Sequence, residues 1–136
     1  MSKDTHLDMF EDVLEFHRKF QRFIGTTPIL IKDSKLCALR SRLVQEEYFE
    51  LSNAVADQNL EEIADAITDL IYVLMGMAIT YGIDIRKTWK EVHKSNMQKE
   101  GGAIRKDGKI LKPTGWEPPK IAKILAEQED INHRRP

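Results

Sequence analysis

Two groups of carboxylates stand at helical spacing: Glu46, Glu47 and Glu50, then Asp65 and Asp69. Offsets of three and four residues project each group to one side of a helix. Like charges so placed destabilise an isolated helix by about 0.2–0.5 kcal/mol per pair. Two such groups brought together therefore need a counter-charge. Acids with no His or Cys among them suit a hard cation such as Mg²⁺, with Mn²⁺ able to substitute. Mg²⁺ takes a few carboxylates and completes its shell with water and phosphate oxygens, so the chemistry indicated is phosphoryl or nucleotidyl transfer to water. Glu62 adds a further acid, seven residues before Asp69 and within about 20° of its face. The competing reading is a solvated acidic face. Against it, Asp69 leads directly into the apolar Leu70-Ile71-Tyr72, and a buried Asp without a partner is costly. A ferritin-like di-iron centre needs Glu-x-x-His pairs, and none of the four histidines stands three residues after a Glu.

The elements that must carry these acids are helical. Met9, Val13, Phe16, Phe20 and Phe23 recur at spacings of three and four, which predicts a helix over 8–23 ended by Gly25-Thr26-Thr27-Pro28. In the loop that follows, Ile29, Leu30 and Ile31 are candidate anchors to the core. A second helix is expected over 36–57, with a stripe of Leu36, Leu39, Leu43 and Leu51 beside the three glutamates. A third is expected over 60–81, where Glu61 and Glu62 complement the dipole of the first turn. From Ile67 onward it is apolar nearly all round, which predicts burial on most sides. In so small a protein that burial calls for a second subunit, hence a homodimer or a higher oligomer built from dimers. Further helices are expected over 85–99 and 120–130, with a glycine- and proline-punctuated basic loop over 100–119 and a frayed tail over 132–136. The expected fold is all-α, a four-to-five-helix bundle completed by dimerisation, with 1–136 forming one domain and the loop and last helix as an appendage.

Composition agrees with that reading. Hydrophobic content of 41% with 32% charged residues fits a soluble, mostly helical domain rather than a disordered chain. The single cysteine, Cys37, excludes an internal disulfide and suits a reducing cytoplasm. It has no neighbouring His or Cys, which reads as a structural thiol. The polar N-terminus lacks a signal-peptide core, and the run over 70–79 is about half of a membrane span, so no membrane partner is expected. The net charge of −1 conceals 14 acidic and 8 basic side chains over 1–70 against 8 and 13 over 71–136. An acidic half for metal and a basic half for the phosphates of a small ligand account for both signs. Nucleic acid is not expected as a partner, because the total is close to neutral.

The order E-E-x-x-E, an acidic helix entering D-L-I-Y-V, G-I-D, E-V-H-K-S-N-M-x-K and R-K-D-G-K-I-L-K-P resembles the all-α NTP pyrophosphatase superfamily. That superfamily includes the MazG-like proteins and phosphoribosyl-ATP pyrophosphohydrolase, and the resemblance runs from Phe16-His17 to Pro118-Pro119. It implies a dimeric helical bundle that splits a nucleoside triphosphate between its α and β phosphates. Family members hold Mg²⁺ with E-x-x-E on one helix and E-x-x-D on the next. On that pattern Glu47, Glu50 and Asp69 are metal ligands, and Glu46 is a further ligand or a water-activating base. The second motif departs by one residue, because Ala66 stands where the pattern has Glu. Asp65 is the favoured partner of Asp69, with Glu62 in reserve. The basic segment resembles the phosphate-gripping end of the family: Lys94, Asn96 and Lys99 near a helix terminus, Lys109 and Lys112 on the loop. Their other reading is ordinary surface polarity. Trp116 stacks on a base or, preferably, packs in the core; His17 contacts a base or, preferably, lies on the surface.

The expected activity is Mg²⁺-dependent hydrolysis of a canonical or modified (d)NTP to the monophosphate and pyrophosphate, in nucleotide-pool control. Glu46 or Glu47 would align or deprotonate the water. The alternatives are phosphoribosyl-ATP pyrophosphohydrolase and, from another class, a non-catalytic helical adaptor whose acids only solubilise it.

Overall fold

A computed structural model describes residues 7–132, and every regular element among them is helical. The five helices are α1 (Met9–Lys19), α2 (Ser34–Ala56), α3 (Leu60–Thr80), α4 (Ile85–Met97) and α5 (Ile121–Glu127). The all-α expectation holds. The expected tail over 133–136 lies outside the described residues. Two compact units are distinguished: one takes the chain through Asp84 and resumes at Glu129, and the other is Ile85–Gln128.

In the first unit each helix begins on a side-chain cap. Asp8 accepts from the Glu11 N–H at 2.9 Å, Asp33 from those of Lys35 and Leu36, and Asn59 from that of Glu62 at 3.2 Å. These carboxylate and amide oxygens satisfy N–H groups that have no intrahelical acceptor. All three helices also end alike, on a residue with positive φ: Gln21 (52°), Gln58 (53°) and Gly82 (71°). The following N–H turns back to the helix, Arg22 to the His17 carbonyl, Asn59 to Ala54 and Ile83 to Ala78. This is the Schellman closure. It stops α1 at Lys19, four residues before the expected end, although Phe20 and Phe23 continue the apolar spacing. Between α2 and α3 it leaves only residues 57–59, so the two helices return antiparallel and make the most extensive helix pairing of the unit.

Phe10, Val13 and Leu14 of α1, Ala54 of α2, and Ala66, Ala78 and Ile79 of α3 form the core. The loop after α1 is held by its backbone: Gly25 N–H bonds to the Ile79 carbonyl at 2.9 Å and Ile29 N–H to that of Tyr81 at 3.1 Å. Of the three expected side-chain anchors, Ile29 and Leu30 are exposed and Ile31 is half-buried. Cys37 is half-buried, its Sγ 3.5 Å from the Ile31 carbonyl.

Two expectations of burial are corrected. Beyond Ile67, α3 is not enclosed, for Ile67 and Leu74 are each 44% exposed. Among the described helices of the unit α1 and α2 pack on it, and Ile67 and Leu74 stay outside both contacts in good part. On α2 the residue buried deepest along the leucine stripe is Arg40, while Leu39 is exposed. By length and composition alone α3 would also serve as a membrane-crossing helix, a wider match than the run over 70–79 suggested.

The second unit is built on α4. Its Ser95 is buried, donating Oγ–H to the Glu117 carbonyl and accepting at its own carbonyl from the Trp116 indole N–H at 2.8 Å. The basic loop folds back through one antiparallel bridge between Ile104 and Ile110, turned at Gly108 with φ 96°. Glu91 of α4 accepts the Lys120 N–H at 3.0 Å, at the start of α5.

Candidate metal centre

Glu47 and Glu50, one turn apart on α2, meet Asp69 of α3, and each offers a carboxylate oxygen within 4.8 Å of the others. The antiparallel return of α3 makes this possible, since it brings Asp69, ten positions after the cap residue Asn59, back beside the middle of α2. Glu47 Oε2 is buried without a hydrogen-bond partner. An orphaned carboxylate oxygen facing two more carboxylates suits a hard cation and little else.

The electrostatics agree. Burial pushes the Glu47 carboxyl above the ordinary carboxylate range, followed by the charges of Glu50 and Asp69, a hydrogen bond shared with Glu50, and the charge of Glu46. Asp69 is raised by burial first, then by Asp65 and Glu50. Burial and the surrounding charges thus oppose the ionisation of Glu47 and Asp69, and a divalent cation would favour it.

Of the other acids, Glu46 and Asp65 are exposed and act on the trio through their charge. Glu62 is exposed in the first turn of α3. Ala66, where the resembled pattern has an acid, is only 4% exposed and belongs to the core.

The expected phosphate-binding residues all belong to the second unit. Lys94 and Asn96 are exposed on α4, and Lys109 is exposed on the hairpin. Trp116 is half-buried, and the ammonium groups of Lys99 and Lys112 lie 5.4 Å and 4.8 Å from its ring centroid. The indole thus gathers two of the expected phosphate ligands by cation–π attraction. His17 corrects the expectation of a surface histidine. It is 2% exposed, and its Nδ1 lies 2.9 Å from the Phe23 carbonyl. A carbonyl only accepts, so Nδ1 carries the proton. Burial chiefly, opposed by that bond, holds the ring below its ordinary pKa.

Arg40 was not singled out by sequence reasoning. It is 7% exposed, and its Nε is buried without a partner. A charged residue four after Leu36 and three before Leu43 was the available signal.

An antiparallel helix pair that converges three carboxylates is suited to a divalent cation and to phosphate chemistry. The family model of phosphoribosyl-ATP pyrophosphohydrolase matches residues 13–96, and the chain belongs to that family, within the all-α MazG-like NTP pyrophosphatase superfamily. That family is one of pyrophosphohydrolases and is metal-dependent in general. An uncharacterized protein of Acanthamoeba polyphaga mimivirus is 37% identical over 79 residues, 56% of this chain. The match covers 32% of that relative's length.

Proposed function

We propose that the protein hydrolyses a canonical or modified (d)NTP to the monophosphate and pyrophosphate in a Mg²⁺-dependent reaction, in nucleotide-pool control. The observation that carries this reading is the orphaned Glu47 Oε2 within the Glu47–Glu50–Asp69 trio. These three would hold the ion, with Asp65 or Glu46 adding charge and Glu62 in reserve. Bound there, Mg²⁺ supplies charge neutralisation for the phosphates and a lowered pKa for a coordinated water. Glu46 or Glu47 would take a proton from the attacking water as the oxygen of the water bonds to the α phosphorus. The bond from the α phosphorus to the bridging oxygen breaks, and pyrophosphate leaves with the electron pair. Lys94, Asn96, Lys99, Lys109 and Lys112 would meet the phosphates and sugar. Trp116 would anchor Lys99 and Lys112 rather than stack on a base.

Phosphoribosyl-ATP is the second reading, favoured by the description of the matching family. We also propose that 1–136 works as one catalytic domain, in the cytoplasm, as a homodimer or an oligomer of dimers. The exposed apolar residues Leu39, Phe49, Ile67 and Leu74 support the oligomer.

A pyrophosphate-release screen over the common NTPs and dNTPs, with phosphoribosyl-ATP alongside, tests the order. Turnover of one or more (d)NTPs is expected, with solvent ¹⁸O recovered in the monophosphate. Turnover of phosphoribosyl-ATP alone would reverse the order of the two readings. No turnover, together with no stabilisation by Mg²⁺ or Mn²⁺, would leave the adaptor.

A further inference from the structure

The interior of the first unit holds a positive charge for which no counter-charge is found among the described residues. Arg40 is 7% exposed, and its Nε has no hydrogen-bond partner. Its charged neighbours have its own sign. Arg22 lowers the pKa of Arg40, after burial, and both arginines lower that of His17. A buried, unpaired guanidinium is among the most destabilising features a small core can carry, and at this stripe position a leucine would pack without that penalty.

The group packs against α3 at a glycine. A Cβ on Gly76 of α3 would lie 3.0 Å from Arg40 Nη1 and 3.4 Å from His17 Nε2. The guanidinium and imidazole therefore approach the α3 backbone only because residue 76 lacks a side chain. Arg22 is exposed, its Nε spent on the Phe20 carbonyl at 2.9 Å, and links the cluster to solvent. Arg40 also lies seven residues before Glu47, about 10 Å along α2 and within about 20° of the same face.

We propose that Arg40 and Arg22, walled by His17 and Gly76, form a second site that binds a phosphate-class oxyanion. A neutral acceptor would satisfy Nε and leave two guanidinium charges facing each other; an oxyanion answers both needs. The planar fork of an arginine matches phosphate oxygens in pairs. The anion is either free phosphate or a phosphoryl group of a nucleotide lying along the face that α2 shares with Glu47. The site goes beyond the proposed hydrolysis and does not depend on it.

The test is phosphate binding by full-length protein in EDTA, followed by calorimetry and thermal unfolding against chloride at equal ionic strength. Phosphate is expected to raise Tm where chloride does not. Arg22→Ala, a surface change, should weaken binding about tenfold or more, and Arg40→Met should abolish it, while Arg40→Lys keeps a part. Mn²⁺ binding should survive in Arg22→Ala. A nucleoside monophosphate that binds more tightly than phosphate, with the same dependence on Arg22, would assign the site to a nucleotide; equal binding would assign it to free phosphate. The proposal is overturned if chloride stabilises as well as phosphate, if Arg22→Ala binds like wild type, or if Glu50→Gln abolishes phosphate binding in EDTA. If Arg40→Met does not fold, Arg22→Ala and Arg40→Lys decide. Because no divalent ion is present, loss of the hydrolase reading would leave this result standing.

Discussion

Glu47 concentrates the electrostatic stress of the first unit, since it is half-buried, orphaned at Oε2 and ringed by Glu46, Glu50 and Asp69. Its carboxyl and that of Asp69 are raised above their ordinary values of 4.5 and 3.8. The native state thus holds protons that the unfolded chain releases, so metal-free stability falls as pH rises from those values through the raised ones, and levels off above. Divalent metal needs the ionised forms, so its affinity rises across the same window. Melting curves from about pH 4 to pH 7 in EDTA should slope downward, and Mn²⁺ should flatten or invert the slope. Identical slopes with and without Mn²⁺ would remove the metal centre. Glu50→Gln, which relieves a like-charge pair, should hold or raise Tm by roughly 1–2 °C in EDTA yet lose the Mn²⁺-induced gain. These acids were legible in the sequence because helical spacing alone puts them on one face. Arg40 and His17 were not, because a polar residue on an apolar stripe reads equally as surface until the element it packs against, α3 at Gly76, is seen.

At the scale of elements, the positions of the helix ends decide where the acids meet. The closure at Gln58 and Asn59 sets the register of α3 against α2, and with it the approach of Asp69 to Glu47. Gly82 performs the same closure at the far end of α3, with φ 71°, where a Cβ would lie 2.3 Å from the Thr27 carbonyl oxygen. Gly82→Ala should therefore cost about 1–3 kcal/mol, from the strained φ and the contact with rigid backbone. Chemical denaturation would show this as a lower midpoint at unchanged slope; a midpoint equal to wild type would mean that the turn is not needed to end α3. Apolar periodicity located the helices within a few residues but extended α1 through Phe23. Periodicity records which face is apolar, whereas termination depends on a left-handed residue, and Gln21 carries no glycine signal for one.

For the whole molecule, the unfinished surface matters most. Ile67 and Leu74 are seven residues apart on one face of α3, each 44% exposed, and Phe49 on α2 is 62% exposed. Exposed large apolar groups in such number mark an interaction surface. With a chain mass of 15.7 kDa, light scattering should report a particle of twice that mass or a multiple of it. Ile67→Asp should shift the particle toward one chain. A wild type that runs at the mass of one chain at micromolar concentration would end the dimer proposal.

The sequence by itself determined the helical class, the order of the helices and the acids of α2 and α3, because these follow from local spacing and charge. Its pattern of motifs also carried the family. The tertiary structure decided which acids converge, that Ala66 rather than an acid fills the core beside them, that His17 is an interior residue, and that Arg40 lies buried beside it. Those facts depend on distances between segments far apart in the chain, which the turn at 57–59 and the packing of α1 on α3 set and no local pattern encodes.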